Sequence, residues 1–514
     1  MPEHIRSLIV ILILSTVVFA FAKRPACKLI SCGDFTRRRN LWLALTLTAF
    51  LAHNYWLYVV ISGVLLHYSS KQEPNKVALF FFVLFTLPVA TAHIPGLGLV
   101  NYIFSLSYPR LLALVILLPA LVYLSNQREK LPFGRTTPDK LLASYMLLSA
   151  ALYLRETTVT DTLRQSFYLF TDIYLPYFVI SRSLKDIQGF RDALLSLVTA
   201  AMILALIGIF EATRHWLLYK PVIGALSLEG GMLGYLERAD LLRAIAAAGH
   251  PIALGSVIVV AIGFYLYLQQ SIKSKLYRRL GLALLVAGLI APLSRGPWLG
   301  AAALIIVFIT TGPYASRRLA TLALAAMIAL PLLAVLPGGQ KVINLIPFIG
   351  KTEAVNITYR QRLIETSWIV IKRNPWFGSV NYIETAEMES MRQGQGIIDI
   401  VNTYIAIALE SGLVGVTLFS CFFLWISLGI ISSLRRLPDK KSDEYLLGRS
   451  LLATLIAILV IISTVSSIAI IPIIYWSVAA LGVAYTLMIK KYNTHSTKLD
   501  STNEVTGTPP VTHY

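Results

Sequence analysis

Two arginines stand out among the residues whose type and position could support chemistry. Arg295 lies in the segment LSRGPWLG between two apolar runs, and it is the only charged residue between Arg279 and Arg317. Arg360 directly precedes an amphipathic segment, QRLIETSWIVIKR, at 361–373. A guanidinium stays charged in a low-dielectric site and can bind phosphate through two parallel hydrogen bonds. Both residues are therefore candidate phosphate ligands, although an arginine at the end of a membrane span commonly only reaches the interface.

A third candidate is His250, in the segment GHPIALG, where a polar connection enters an apolar run. A histidine in this position could act as a base, or it could be an ordinary interfacial residue. Arg238 and Arg243 precede it closely and could form a basic rim with it.

Several familiar kinds of site are excluded. The sequence has no P-loop, dinucleotide fingerprint, HExxH or GxSxG motif. Cys27 and Cys32 share a basic loop, and Cys421 lies in an apolar run. We therefore expect neither a zinc site nor a disulfide framework, and we predict no metal or other cofactor.

The elements that position these side chains are membrane helices. Of the 514 residues, 56% are apolar and only 14% are charged, whereas a soluble protein has about 25% charged residues. A bilayer takes roughly 20 helical residues, and the long low-charge runs lack the alternation of a transmembrane barrel. We predict an all-α polytopic membrane protein with about 12–15 transmembrane helices. The candidate stretches are 5–22, 41–66, 77–93, 109–124, 141–154, 166–181, 194–210, 251–268, 279–293, 297–312, 319–336, 413–434, 449–468 and 471–489.

The basic loops give the orientation, since short cytoplasmic loops are rich in lysine and arginine. They place 211–250 and 337–412 outside, provided that the stretch 41–66 is broken into two spans at His53-Asn54. The predicted domains are an N-terminal bundle, a large periplasmic loop with short helices, the C-terminal helices and a disordered cytoplasmic tail, at 1–336, 337–412, 413–489 and 490–514. The net charge of +19 falls almost wholly inside, which indicates membrane topology and no nucleic-acid partner.

The long outer loop is predicted to contain an amphipathic helix at 361–373. Leu363, Ile364, Trp368 and Ile371 would form one face, which lies in the outer interface or packs on the bundle. The outer acids are expected to be mostly solvated loop charges: Glu211, Glu365, Glu384, Glu387, Glu389, Asp399 and Glu410.

Three segments together resemble the superfamily of O-antigen ligases and bacterial polysaccharide polymerases. Ser294-Arg295-Gly296-Pro297-Trp298-Leu299-Gly300 is similar to its SRGxWLG step between two spans. TYRQRLIETSWIVIKRNPWFG, with Arg360 followed by Pro375 and Gly378, resembles its arginine-then-proline-glycine element. Asn402-Thr403-Tyr404, followed by Glu410-Ser411-Gly412-Leu413-Val414-Gly415, is similar to HNxYL…E-x-GLxG. The likeness covers roughly 280–430.

The resemblance implies a metal-independent glycosyltransferase in the bacterial inner membrane that acts at the periplasmic face. Its donor would be a glycan on undecaprenyl diphosphate, surrounded by membrane lipid, with a chain-length regulator or export proteins as further partners. Arg295 and Arg360 would stabilise the leaving diphosphate. Arg238, Arg243, Arg362, Asn402 and Tyr404 are the candidates for binding substrate.

One departure affects the acceptor chemistry. Ligase-type members have a histidine before the asparagine, where this chain has Val401. Asp399 or His250 is then the candidate base, and the difference favours a polymerase over a ligase that transfers glycan to lipid A-core. The rival functions are a flippase for lipid-linked sugar and a scaffold in an export complex. A flippase is disfavoured because the middles of the spans are nearly free of charge, with Asp172 as the clearest exception.

Overall fold

The chain is almost entirely helical in the computed structural model, which describes residues 1–335 and 354–505 apart from 97, 99, 128–130, 229–233, 239, 394 and 395. The first half contains helices α1 Glu3–Ala26, α2 Cys32–Leu51, α3 Tyr55–Gln72, α4 Lys76–Val83, α5 Tyr108–Leu112, α6 Leu118–Ser125, α7 Thr137–Glu156, α8 Val159–Leu169, α9 Leu175–Ser183, α10 Ile187–Arg214 and α11 Lys220–Ala225. The second half contains α12 Pro251–Leu268, α13 Lys275–Ile290, α14 Arg295–Thr310, α15 Ala315–Val335, α16 Ala354–Arg373, α17 Ala386–Glu389, α18 Thr403–Arg436, α19 Asp443–Ile462 and α20 Ile471–Val505.

Two small antiparallel hairpins interrupt the helices, and neither was predicted. Strand β1, Thr91–Pro95, pairs with β2, Tyr102–Ser107. Strand β3, Glu237–Arg238, pairs with β4, Leu241–Leu242. They do not alter the fold class, which is all-α and polytopic as predicted.

Seven helices of the described chain are long and apolar enough to cross a membrane. They are Glu3–Ala26, Tyr108–Ser125, Ile187–Arg214, Pro251–Ser271, Thr403–Arg436, Asp443–Ile462 and Ile471–Lys491, and Arg295–Thr310 is a shorter apolar helix. The sequence predicts 12–15 spans, and the difference has a physical source. Two of the remaining helices, Lys76–Val83 and Lys275–Ile290, have only 8 and 16 residues.

The long stretch at 41–66 is broken at the predicted place. Helix α2 ends at Leu51 and α3 begins at Tyr55. Asn54 caps the second helix, because its side-chain oxygen accepts hydrogen bonds from the backbone N–H groups of Trp56 and Leu57 at 2.9 and 3.1 Å. The predicted break is therefore present, and that both helices cross the membrane stays a prediction.

The core lies around α10 and α12, since 83% and 89% of the residues in their most apolar stretches are buried. Helix α14 packs closely on α19 because small residues let the two backbones approach. A Cβ placed on Gly300 would lie 2.3 Å from Cγ1 of Ile461. This contact fixes the start of α14, and with it Arg295, against the end of α19.

The helices carry more buried charge than the sequence suggested. Arg38 is fully buried and binds Glu73 and Asp192, each at 2.5 Å. Arg110 binds Asp172 at 2.8 Å, and Arg182 binds Asp139 at 2.6 Å. The prediction concerned the middles of the spans, with Asp172 as the exception, and these ion pairs do not contradict it. Arg38, Arg110, Asp139, Arg182 and Asp192 lie within the first two or last two turns of their helices. Of the residues in these pairs, only Asp172 lies well inside a helical segment.

Two further expectations differ from the structure. Cys27 and Cys32, for which no disulfide framework was predicted, are joined by a single disulfide. Helix α20 continues to Val505, where the sequence predicted a disordered tail from residue 490. Residues 506–514, and 337–353 of the predicted outer loop, lie outside the described part of the chain.

The buried Arg38 network leads to a prediction about stability. Within the described residues, Arg38→Ala would leave Asp192 without a counter-charge and Glu73 with Arg37 alone. We therefore expect a loss of about 3–5 kcal/mol in unfolding free energy. The check is the thermal unfolding midpoint of the purified protein in detergent. Arg39→Ala is the matched control, because among the described residues Arg39 bonds only its neighbour Asn40 at the surface. Equal midpoints for the two variants would contradict the assignment.

Candidate active site

The turn between α19 and α20, residues 463–470, is where the predicted segments meet; it is called the 463–470 turn below. Arg360, on α16, donates from Nη2 to the backbone oxygen of Thr464 at 3.3 Å. The side chain of Thr464 packs against Gly296, where an added Cβ would lie 2.7 Å from Oγ1 of Thr464. The structure therefore brings together the backbone next to Arg295 and the guanidinium of Arg360, which lie far apart in sequence.

The same turn binds the segment that precedes α18. Ser466 donates through its hydroxyl to Oδ1 of Asp399. Thr403 donates from Oγ1 to the backbone oxygen of Val465 at 3.0 Å, and its hydroxyl also bonds that of Ser467 at 2.9 Å. Asp399 is thus held on the turn that Arg360 contacts. The four residues Thr464 to Ser467 escaped the sequence analysis, because a short run of serine and threonine has no motif.

Arg238 and Arg243 converge on the backbone that leads into Arg295. Arg238 donates from Nη1 to the carbonyl of Leu293 at 2.6 Å. Arg243 donates from Nε to the carbonyl of Pro292 at 3.2 Å and from Nη2 to the hydroxyl of Ser294 at 3.0 Å. Both were predicted to bind substrate. The contacts described here are with the chain itself, and they fix the turn from which Arg295 begins α14.

His250 is the N-cap of α12. Its Nδ1 accepts a hydrogen bond from the backbone N–H of Ile252 at 3.2 Å. Burial, and then the positive charge of Arg243, lower the pKa of His250 to about 4 from its ordinary value of 6.5. The imidazole is therefore neutral at pH 7, and one of its nitrogens already serves the helix end.

Glu211 binds the chain that leads to His250, and its predicted role was wrong. It was expected to be a solvated loop charge, but it is fully buried at the end of α10. Its carboxylate accepts from the backbone N–H groups of Leu218, Ile245 and Ala246 at 3.0, 2.9 and 2.8 Å. It thereby holds the chain just before His250. Its partners are backbone groups distant in sequence, so no pattern could have shown them.

The proline-glycine element docks on a kink in α18. Gly412 interrupts that helix with φ 65°, and Gly378 has φ 58°. The N–H of Ser379 donates to the carbonyl of Leu409 at 2.9 Å, and the N–H of Leu413 donates to that of Pro375 at 2.8 Å. A Cβ on Gly378 would lie 2.4 Å from the oxygen of Leu409. Glycine is needed at both positions, because the backbones touch and both φ values are positive.

The end of α7 holds this element from the other side. Glu156 accepts from the hydroxyl of Ser379 at 2.7 Å and from the N–H of Val380 at 2.6 Å. Arg155 donates to the carbonyl of Gly378 at 3.0 Å. Burial alone would raise the pKa of Glu156, but the hydrogen bonds from Ser379, Arg155 and Val380 outweigh it and lower that pKa. Arg155 and Glu156 were not singled out from the sequence.

The other predicted site residues have different positions. Asn402 caps α18, since its side-chain oxygen accepts from the N–H groups of Tyr404 and Ile405 at 2.9 and 3.2 Å. Tyr404 packs edge-on against Phe419, with ring centroids 5.8 Å apart. Arg362 is exposed and has no hydrogen bond or ion pair within the described residues. The structure thus brings Arg295, Arg360, Asp399, Arg238 and Arg243 to one region.

Glu410 also departs from its predicted role as a solvated charge. It lies on α18 just before the kink and lines a small cavity with Tyr145, Tyr153 and Ser411. Tyr153 lies next to it in the lining of this cavity. Glu410 therefore belongs to the packing between α7 and α18, close to the proline-glycine element.

Helix α16 is amphipathic, but its faces differ from those predicted. Leu363, Val370 and Ile371 are buried against α17 and α18. Ile364 and Trp368 were assigned to the same face, yet both are 55% exposed. The exposed apolar surface continues to Trp376 and Phe377, at 64% and 48% exposure. This surface is called the aromatic face below: Ile364, Trp368, Ile369, Trp376 and Phe377.

The fold and the site are those of a polytopic helical membrane protein with clustered arginines at one end of the bundle. A comparison with known families points to one such class. Residues 280–420 match the family model described as O-antigen ligase. The match confirms the resemblance of this part of the chain to the O-antigen ligase and polymerase-like superfamily, whose members transfer lipid-linked glycans in membranes. No curated protein matches the chain.

The contact between Gly378 and Gly412 generates a prediction. Gly378→Ala adds a Cβ at positive φ and against a carbonyl, so we expect the proline-glycine element to detach. Hydrogen exchange at the amides of Ser379 and Leu413 would then be faster by at least about tenfold, the equivalent of the 1–2 kcal/mol cost of positive φ alone.

Gly396→Ala is the matched control. Gly396 also has positive φ, 76°, but nothing lies within 4 Å of an added Cβ. Its exchange at Ser379 and Leu413 should equal that of the unchanged protein. If the two variants behave alike, close backbone contact is not what holds the element.

Proposed function

We propose that this protein is a polysaccharide polymerase, a glycosyltransferase that moves undecaprenyl-diphosphate-linked repeat units onto a growing glycan. The observation that carries the proposal is the convergence of Arg360, Asp399 and Gly296, the residue next to Arg295, on the 463–470 turn. Cations for a diphosphate and a carboxylate for a hydroxyl are the two kinds of group that such a transfer needs.

The chemistry assigns a role to each group. The oxygen of the acceptor hydroxyl forms a bond to the anomeric carbon of the donor sugar, and the bond from that carbon to the diphosphate oxygen breaks. Negative charge then grows on the leaving diphosphate, where the guanidinium groups of Arg295 and Arg360 would stabilise it without a metal. Arg238 and Arg243 would act by fixing the backbone from which Arg295 projects.

Asp399 is the better candidate for the base that takes the acceptor proton. It lies on the turn that Arg360 contacts, and Ser466 holds its carboxylate. His250 is less suited, because its Nδ1 already accepts the capping hydrogen bond from the N–H of Ile252. Val401 stands where ligase-type members have histidine, which favours a polymerase over a ligase.

The aromatic face would bind the lipid-linked donor at the periplasmic surface of the inner membrane. The carbonyls of Pro375 and Trp376 accept from the N–H groups of Leu413 and Val414, at the start of the straight part of α18. Trp376 and Phe377 therefore lie at the membrane end of a spanning helix, where aromatic side chains are favoured. The polyprenyl tail could remain in lipid while its diphosphate reaches Arg360.

The alternative functions remain a ligase that transfers glycan to lipid A-core and a flippase for lipid-linked sugar. Apart from Arg110–Asp172, the described buried ion pairs lie in terminal turns and helix connections, whereas a flippase is expected to carry charge near the midplane. Inner-membrane location, a periplasmic site, and a chain-length regulator or export protein as partner stay predictions.

The arginine assignment is tested with the purified protein in detergent, supplied with a repeat unit on undecaprenyl diphosphate. Because detergent has no compartments, lengthening of the glycan there distinguishes a polymerase from a flippase. Arg295→Ala and Arg360→Ala should each lower the polymer yield by at least about 100-fold, the usual cost of losing one charge-stabilising donor. A chelator should leave the yield unchanged.

Arg373→Ala is the control for these variants. Arg373 is on the same helix as Arg360 but binds Glu387 at the surface, so its removal should preserve the yield. Normal polymer from both site variants would refute the assignment. In a deletion strain, accumulated single repeat units would indicate a polymerase, and long chains on the carrier lipid a ligase.

A second pair of variants separates the two candidate bases. Asp399→Asn should lower the rate by about 100-fold or more, because it removes the proton acceptor. His250→Asn should keep the rate within about threefold, since asparagine is a good N-cap. The measurement is the initial rate of chain extension between pH 5 and 8. The reverse pattern of loss would assign the base to His250.

His250 is also expected to make the stability of the protein depend on pH. Its pKa in the folded protein, about 4, is below the ordinary 6.5, so its neutral form is favoured by folding. This contribution is complete above pH 6.5 and is lost as the pH falls towards 4. In His250→Asn, the free energy of unfolding should therefore fall less steeply than in the unchanged protein as the pH is lowered from 6.5 to 4.

A further inference from the structure

A cavity of about 830 Å³ lies at the end of the helical bundle opposite the candidate active site. Helix α10 shows the separation: Gln188 and Asp192 in its first turns line the cavity, while Glu211 in its last turns binds the chain before His250. Nineteen residues at 1.5 Å each make roughly 28 Å between Asp192 and Glu211. The cavity is therefore independent of the site described above.

Its walls are of two kinds. One is apolar and comes from the membrane helix Tyr108–Ser125, through Pro119, Tyr123 and Leu124. The other is polar and comes from the ends of α3, α4 and α10 and their connections, including Lys71 and Lys185. A second cavity of about 220 Å³ shares Leu124 and Lys185 with the first and adds Lys491. An apolar helix face beside a polar floor matches the cross-section of a lipid at its headgroup.

The carboxylates of the cavity already have partners. Asp34 and Glu73 bind Arg37 at 2.8 and 2.9 Å. Glu73 and Asp192 both bind the buried Arg38. Asp186 accepts from the N–H of Gly189 at 2.7 Å, as the cap of α10. The negative charge along the wall is thus neutralised by arginines or committed to a helix end.

The lysines have no such partners. Within the described residues, Lys71 makes no hydrogen bond or ion pair, and Lys185 bonds only the amide oxygen of Gln127, at 3.2 Å. Lys76 donates to the backbone oxygen of Ser70. The cavity therefore presents ammonium groups that form no ion pair with its carboxylates, next to an apolar helix. Basic pockets between membrane helices are where anionic headgroups bind.

We propose that this cavity binds the phosphate of a membrane phospholipid, with Lys71 and Lys185 on the phosphate and the acyl chain along Pro119, Tyr123 and Leu124. The lysines are contributed by different segments, so the bound lipid bridges the connection between α3 and α4 to the start of α10. The lipid is a component of this end of the bundle and is separate from the glycan donor.

The test uses the full-length protein in detergent and native mass spectrometry with added phosphatidylglycerol. The unchanged protein should retain a phosphatidylglycerol adduct, and Lys71→Gln/Lys185→Gln should bind it at least about tenfold more weakly, as each lysine near an anionic headgroup supplies a substantial share of the affinity. Lys71→Arg/Lys185→Arg keeps the charges and should retain the adduct. Thermal unfolding midpoints establish that the variants are folded.

Lys273→Gln/Lys275→Gln removes the same charge from the connection between α12 and α13, outside the cavity, and should bind like the unchanged protein. Equal adduct formation in both glutamine pairs would overturn the proposal. A parallel experiment adds inorganic phosphate as a competitor of phosphatidylglycerol. Failure of phosphate to displace the lipid supports a lipid site, and binding of phosphate without phosphatidylglycerol would overturn the lipid assignment.

Discussion

The structure depends on how the irregular segments at the helix ends satisfy their backbone hydrogen bonds, because the hydrocarbon of a membrane offers no partner. Charged side chains provide much of this. Arg238 and Arg243 donate to the carbonyls of Leu293 and Pro292, and Glu211 accepts three backbone N–H groups. The turn that precedes Arg295 is consequently fixed from two sides. A charge placed on such a turn needs little reorganisation when a diphosphate binds, which is what electrostatic catalysis requires.

The same requirement explains why the long outer segment is built on glycines and short polar residues. Gly378 and Gly412 let two backbones meet, so the amides around them pair directly. Thr464 and Ser466 then join α16 and the chain before α18 to the end of α19. Each contact is weak alone, but together they connect elements that no long helix joins. The candidate site is therefore a property of the connections, and the bundle supplies their anchor points.

Much of the fold could be predicted, since apolar runs and polar breaks have direct physical meaning. Asn54 ends one helix and caps the next as its position suggested, and the arginine segments were found because charge is rare in such a chain. The contacts of Glu211, Ser466 and Glu156 could not be predicted, because they join residues to distant backbone or to turns without a motif. The face of α16 was misassigned since Ile364 and Trp368 are as apolar as Leu363, and only packing shows which are covered.

The geometry before α18 also bears on the missing histidine. The N–H of Val401 donates to the carbonyl of Asp399 at 3.1 Å, and that of Asn402 donates to the carbonyl of Ile400 at 2.7 Å. Such three-residue turns bring side chains two positions apart to the same side of the chain. Asp399 and Val401 would then project in a common direction. Under the proposed assignment, a carboxylate at 399 would serve the region that a histidine at 401 would face, and the base would stay beside the 463–470 turn.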